Sequence, residues 1–133
     1  MTSSTPRRPR VVVADDHPDM VTAISRLLSI DCDVVGTVTD GSRVVETVQR
    51  LQPDVAILDL NLPGISGFEA CRQITRANPT VKVIVFTAMP DPSLGQRATD
   101  AGASAFLCKM ATDCDLLATV LSLAERQPGS DGS

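Results

Sequence analysis

The segment VAILDLNLPGISGFE, residues 55–69, decides how this chain is expected to fold. It begins with four apolar residues, the length of a buried strand, and Asp59 follows directly after them. Gly64 and Gly67 indicate turn geometry, and Ser66 can cap a helix whose apolar residues follow at helical spacing. The segment therefore predicts a strand, a loop and a helix, with an acidic residue at the end of the strand.

The same alternation of apolar runs and amphipathic stretches continues on both sides of this segment. Helix starts are indicated by Pro18 at an early helical position and by Asp40 and Ser42, which can cap a second helix. The order is βαβαβαβαβα, and crossovers of this length join parallel strands. We therefore predict an α/β fold, a three-layer sandwich with helices on both faces of a five-stranded parallel sheet. The apolar runs are residues 11–14, 34–38, 55–58, 81–86 and 105–108.

Composition limits the chain to one domain and to few partner classes. Its 133 residues are 43% hydrophobic but only 2% aromatic, so aliphatic side chains must build the core, as in strands buried on both faces. We expect a disordered basic leader at residues 1–9, a domain at 10–126 and a flexible tail at 127–133. No apolar run is long enough to span a membrane, so a cytoplasmic location without membrane contact is expected. The four cysteines lack metal-site spacing and are expected to be free thiols.

The net charge of −4 is unevenly distributed along the chain. Arg7, Arg8 and Arg10 all lie in the first ten residues, so the remaining chain is more acidic than the total. Binding to a nucleic-acid backbone needs clustered lysine and arginine side chains. We therefore expect no direct nucleic-acid binding by the domain.

The residues that follow the predicted strands carry the chemistry, because ligands of such sheets sit at the carboxyl ends of the strands. Asp15 and Asp16 follow the first strand, Asp59 the third, Thr87 the fourth and Lys109 the fifth. Converging carboxylates repel each other, and their hard oxygen ligands suit Mg²⁺. A carboxylate is also a nucleophile that can form an acyl phosphate. The joint pattern predicts a phosphoryl-accepting site at this edge of the sheet.

Four blocks of the chain resemble bacterial response-regulator receiver domains. They are VVVADDHP (11–18), VAILDLNLPGISGFE (55–69), VIVFTAM (83–89) and GASAFLCKM (102–110), and the resemblance extends over residues 10–125. The resemblance implies a flavodoxin-like (βα)5 fold. The chain is similar in particular to receivers that are joined to helix-turn-helix DNA-binding domains. The resemblance also implies that Asp59 is the phosphoacceptor and that Asp15 and Asp16 hold Mg²⁺ together with Asp59 and the backbone carbonyl of Asn61.

The resemblance assigns further roles around the acceptor. Thr87 resembles the switch hydroxyl, Ala88 the small residue that gives access to the phosphate, and Lys109 the lysine that pairs with it. Phe106 stands at the aromatic switch position. His17 follows the acidic pair and is interpreted as a loop residue near the site without an essential role.

Two features depart from the usual pattern of the family. Met110 follows Lys109 where proline is common, so a cis bond there is not assured. The segment from Met89 to Pro92 is rich in proline, which predicts that the fourth helix starts late or is mobile.

The resemblance implies phosphotransfer from a sensor histidine kinase or histidine phosphotransfer protein, and signalling to an effector protein that the sequence does not identify. We expect a stand-alone signalling module, a monomer or weak dimer, that catalyses only its own phosphorylation and dephosphorylation. Two alternatives stay open: a receiver fragment of a DNA-binding transcriptional regulator, and a phosphorylation-independent docking module. A haloacid-dehalogenase-type phosphatase would need an aspartate where Asn61 stands.

Overall fold

A parallel sheet of five strands forms the middle layer of the computed structural model, which describes residues 8–88, 91–108 and 113–125. The elements in chain order are β1 (Arg10–Ala14), α1 (Pro18–Leu28), β2 (Asp33–Val38), α2 (Gly41–Leu51), β3 (Val55–Asp59), α3 (Gly67–Ala77), β4 (Lys82–Thr87), α4 (Pro92–Asp100), β5 (Ala105–Cys108) and α5 (Asp113–Glu125). The strands lie in the order β2-β1-β3-β4-β5, and every pairing is parallel. The predicted fold class is confirmed.

Alternate residues of the central strands point to opposite faces of the sheet, and each face has its own apolar core. On β1, Val12 packs toward the side chains of α2, α3 and α4, whereas Val11 and Val13 pack toward α1 and α5. These valines are fully buried, as are Val55 and Ala56 on β3. Burial on both faces explains why the strands read as continuous apolar runs rather than as alternating ones.

Two of the predicted helix caps are confirmed. The carboxylate of Asp40 accepts a hydrogen bond from the backbone N–H of Ser42 at 2.8 Å, and the Ser66 hydroxyl accepts one from the N–H of Glu69 at 3.2 Å. Each bond satisfies a backbone donor that the first turn of a helix leaves without a partner. Pro18 is at the start of α1, as its position in the sequence indicates.

The fourth helix begins directly at Pro92, so the expectation of a late start is wrong. Asp91 is the reason, since its carboxylate accepts a hydrogen bond from the Ser93 N–H at 2.9 Å and caps the helix. Proline is also favoured in the first helical turn, where its missing N–H has no intrahelical acceptor to lose. Met89 and Pro90 lie outside the described residues.

The amino-terminal ends of the strands are joined by a polar network. The Arg10 N–H donates to Asp54 Oδ2 at 2.8 Å, and the Arg10 guanidinium donates to the carbonyl of Leu51 at 2.8 Å. Arg8, which falls within the predicted leader, donates to Asp33 Oδ1 at 3.0 Å and to the carbonyl of Cys32 at 2.8 Å. These bonds tie the start of β1 to both of its neighbouring strands.

The edge strand β2 departs from regular pairing. Val11 pairs with Val34 and Val12 with Gly36, which leaves Val35 without a counterpart on β1. One extra residue on one strand of a pair is a β-bulge, and it bends the strand that carries it.

No disulfide joins Cys32, Cys71 or Cys108. Cys71 is fully buried in α3, with its Sγ 3.5 Å from the carbonyl oxygen of Ala101. Burial raises the pKa of the Cys71 thiol from 9.0 to about 11. The thiol therefore stays protonated and packs as a small apolar group.

Within the three described stretches, no helix has the length and hydropathy that crossing a bilayer requires.

Candidate functional site

Three buried polar residues mark the carboxyl ends of adjacent strands. Asp15 directly follows β1, Asp59 is the last residue of β3, and Thr87 is the last residue of β4. Their exposed fractions are only 1%, 3% and 0%. Because β3 pairs with both β1 and β4, these residues lie at one edge of the sheet, as the sequence predicts.

Backbone donors position the two buried carboxylates. Asp15 Oδ1 accepts a hydrogen bond from the N–H of His17 at 2.9 Å, and Asp59 Oδ1 accepts one from the N–H of Asn61 at 3.2 Å. The Asp15 N–H itself donates to the carbonyl of Val38 at 3.1 Å, which fixes the start of this loop against β2. These two bonds fix the orientation of the carboxylates at the edge of the sheet.

The loop after Asp59 is held close to the strand ends. The Leu60 N–H donates to the carbonyl of Phe86 at 2.8 Å, and the Gly67 N–H donates to the carbonyl of Leu60 at 2.9 Å. A Cβ at Gly67 would lie 2.6 Å from the Asp59 carbonyl oxygen, so only glycine lets α3 begin here. Gly64 has a φ of 90°, a conformation that side chains disfavour. Both glycines serve turn geometry, as predicted.

Asp15, Asp16, His17 and Asp59 form the acidic cluster, in which one ligand atom from each residue lies within 4.8 Å of all the others. Two unit charges at 4.8 Å repel by about 3.5 kcal/mol at an effective dielectric of 20. A divalent cation among these oxygens would offset that repulsion, and carboxylate oxygens are ligands that Mg²⁺ prefers. The residues of the cluster therefore fit a magnesium ion.

The other residues that the sequence assigns to the site are not members of the acidic cluster. Ala88 is exposed directly after Thr87, and Asn61 is exposed after Asp59. Phe106 is half-buried on β5 and packs with the apolar core on the α4 side of the sheet. Lys109 follows Cys108, which pairs with Thr87, but Lys109 and its bond to Met110 lie outside the described residues.

The ring of His17 contributes a nitrogen to the acidic cluster, which the sequence does not predict. Its Nδ1 lies 2.9 Å from Asp16 Oδ1 and 3.4 Å from Asp15 Oδ1. The only signal in the sequence was its position directly after the acidic pair. The functional roles that the sequence assigns to all of the site residues, Asp59, Thr87 and Phe106 included, stay predictions.

Comparison with known proteins agrees with this geometry. A family model described as "Response regulator receiver domain" matches residues 11–121. The chain is 32% identical over 127 residues to the probable transcriptional regulatory protein NarL of Mycobacterium tuberculosis, covering 94% of this chain and 59% of NarL. It is 37% identical over 103 residues to the response regulator GacA of Pseudomonas viridiflava, covering 75% of this chain and 48% of GacA. The chain thus spans about half the length of the curated relatives that it matches.

Two solved structures extend the comparison to the fold. The signal receiver domain of NarL from Mycobacterium tuberculosis has a TM-score of 0.85 at 33% identity, covering 92% of this chain and 100% of that one. The isolated REC domain of RcsB from Salmonella enterica serovar Typhimurium, solved in the presence of phosphomimetic BeF3⁻, has a TM-score of 0.83 at 25% identity. That match covers 91% of each chain.

Proposed function

Because this chain belongs to the response regulator receiver domain family, we propose that it accepts a phosphoryl group on Asp59 and thereby changes its contacts with an effector protein. The observation that carries the proposal is the convergence of Asp59 with Asp15 and Asp16, whose ligand atoms lie within 4.8 Å of one another. Thr87, at the end of the neighbouring strand, adds a hydroxyl to the same edge.

Asp59 is the acceptor in this proposal because it is the carboxylate at the end of the central strand β3. Its carboxylate oxygen attacks the phosphorus of a phosphohistidine donor, and a new O–P bond forms while the P–N bond breaks. The leaving imidazole nitrogen keeps the electron pair and takes up a proton. No base is required, because a carboxylate is already ionised at neutral pH.

The cation site serves this transfer by neutralising charge. Asp15, Asp16, Asp59 and the backbone carbonyl of Asn61 are the residues that would hold Mg²⁺. When bound, Mg²⁺ offsets the negative charge of the phosphoryl oxygens during transfer. The backbone donors of His17 and Asn61 keep the two buried carboxylates oriented toward the same space. Lys109 is proposed to pair with the phosphoryl oxygens, and Ala88 to leave them accessible.

Thr87 and Phe106 are proposed to convert the modification into a change of surface. Phosphorylation adds roughly two negative charges beside the Thr87 hydroxyl. Thr87 pairs with Cys108 in the sheet, and Val85, two residues before Thr87, pairs with Phe106. A shift of Thr87 toward the phosphoryl group would free space along β4 for the half-buried Phe106 ring to turn inward. The surface around α4 and β5 would change with it.

A sensor histidine kinase or a histidine phosphotransfer protein is the proposed donor. The acceptor chemistry requires a phosphorylated nitrogen or an equally reactive acyl phosphate, since an aspartyl phosphate is itself a high-energy group. The domain acts in this proposal as a signalling module whose catalysis is confined to its own phosphorylation and dephosphorylation. The effector is a protein of unknown identity.

The proposal is tested by incubating the chain with acetyl phosphate and Mg²⁺ and recording intact-protein mass. The wild type should gain one phosphoryl group, and Asp59→Asn should gain none. Asp54→Asn is the matched control, because Asp54 lies at the opposite end of β3 and its Oδ2 accepts the Arg10 N–H at 2.8 Å. An asparagine oxygen can accept the same bond, so this variant should fold and be labelled like the wild type.

The proposal fails if the wild type stays unlabelled with acetyl phosphate and with histidine kinases. It also fails if Asp59→Asn is labelled as fully as the wild type, because the phosphoryl group would then reside elsewhere.

A further inference from the structure

The imidazole of His17 is largely exposed to solvent, but its Nδ1 edge lies against the carboxylates of the acidic cluster. Its Nδ1 is 2.9 Å from Asp16 Oδ1 and 3.4 Å from Asp15 Oδ1. Each of these three residues and Asp59 offers one ligand atom, and the four atoms all lie within 4.8 Å of one another. The cluster therefore offers a nitrogen ligand in addition to its carboxylate oxygens.

The backbone of His17 places its side chain beside the acidic pair. His17 is the residue before α1, with an extended backbone at φ −105° and ψ 111°, and Pro18 begins the helix. The His17 N–H donates to Asp15 Oδ1 at 2.9 Å, which ties the residue to the same carboxylate that its ring approaches. The His17 side chain makes no hydrogen bond to the first turn of α1, so the ring is not engaged as a helix cap.

We propose that His17 is a direct ligand of the cation bound by the acidic cluster and that it makes the site select for ions that prefer imidazole nitrogen, such as Zn²⁺. The inference rests on the proposed function, because it concerns the same cation site. Ligands about 2.1 Å from a metal are about 3.0 Å apart in an octahedral shell and about 3.4 Å apart in a tetrahedral one. The two distances from Nδ1, 2.9 and 3.4 Å, match neighbouring positions of one shell.

The selectivity follows from the chemistry of the donors. Mg²⁺ prefers hard oxygen ligands and gains little from an imidazole. Zn²⁺ binds imidazole nitrogen strongly, and its affinity for mixed nitrogen and oxygen sites exceeds that of the hard divalent ions. A pocket built only of carboxylates lacks this contribution, so His17 should raise the affinity of the site for Zn²⁺ more than its affinity for Mg²⁺.

The test measures Zn²⁺ and Mg²⁺ binding separately by isothermal titration calorimetry on the untagged chain, with wild type, His17→Ala and His17→Asn. The His17 side chain is 71% exposed, so both variants should fold. Asparagine is a good helix cap and brings an amide oxygen instead of a nitrogen. Removing even an outer-shell partner of a metal lowers affinity by about 10–100-fold, so losing a direct ligand should weaken Zn²⁺ binding at least about tenfold more than Mg²⁺ binding.

A second readout identifies the ligand atom directly. His17 is the only histidine of the chain, so its ring gives one pair of ¹⁵N signals. The Nδ1 signal should shift on addition of Zn²⁺ far more than the Nε2 signal. Equal losses for the two ions in His17→Ala, or tighter Zn²⁺ binding by that variant, would overturn the inference, because the ring would then only hydrogen-bond to the carboxylates. Failure of the wild type to bind Mg²⁺ would instead overturn the proposed cation site itself.

Discussion

Gly67 is the position where a single methyl group should disturb both the fold and the acceptor site. A Cβ built there would lie 2.6 Å from the Asp59 carbonyl oxygen and 2.8 Å from Leu60 Cα, where ordinary contacts begin at 3.4 Å. Both atoms belong to the backbone, and the Leu60 N–H donates a hydrogen bond to the carbonyl of Phe86. Neither can move without displacing the end of β3. We therefore expect Gly67→Ala to destabilise the chain.

The magnitude follows from two opposing contributions. Overpacking against a rigid neighbour costs about 1–3 kcal/mol, and backbone neighbours place Gly67→Ala at the upper end of that range. Alanine gains at most about 1 kcal/mol in helix propensity, and less in the first helical turn. The steric cost wins, with a net loss of about 2 kcal/mol. For a domain of this size that corresponds to a melting temperature about 8 °C lower.

Gly95→Ala is the matched control, since it makes the same substitution inside a helix with open space around it. The nearest heavy atom to a Cβ at Gly95 is Phe106 Cδ2 at 3.7 Å, an ordinary contact. That variant should gain about 0.5–1 kcal/mol. The chain contains no tryptophan or tyrosine, so urea unfolding is followed by far-ultraviolet circular dichroism. An unchanged or higher midpoint for Gly67→Ala, with Gly95→Ala behaving as expected, would refute the steric argument.

Three further predictions concern other parts of the molecule. Ser66→Ala removes the hydroxyl that accepts the Glu69 N–H, and the unfolding free energy should fall by about 1 kcal/mol in the same urea assay. The raised pKa of Cys71 keeps its thiol protonated in the folded chain, whereas the thiol of the unfolded chain ionises above pH 9. The free energy of unfolding should therefore fall between pH 9 and about 11. Cys71→Ala should show a smaller fall over the same pH range. Thr87→Val keeps the side-chain volume without the hydroxyl, so phosphoryl uptake should persist while the amide shift of Phe106 on addition of beryllofluoride shrinks; an undiminished shift would exclude the proposed role of Thr87.

The sequence was informative where the periodicity of the backbone determines the position of a side chain. Asp59 and Thr87 could be placed together because the carboxyl ends of parallel strands meet at one edge, whichever side chains fill the core. His17 could not be placed, because the direction of a ring in a loop depends on local backbone angles and on the N–H bond to Asp15. The bulge at Val35 was equally hidden, since it changes the pairing of two strands but not the apolar pattern. The prolines before α4 predict a late start, but the cap by Asp91 outweighs them and the helix begins at Pro92.

The anchoring of Arg8 and Arg10 has a practical consequence for experiments on this domain. All five strands start at the end of the sheet that these arginines hold, and β1 is five residues long, so its first and last residues are about 13 Å apart. A fluorophore, an affinity tag or a biosensor surface attached before Arg8 would therefore leave the acidic cluster facing the solution. A domain immobilised in that orientation should accept phosphoryl groups at the same rate as the untethered domain.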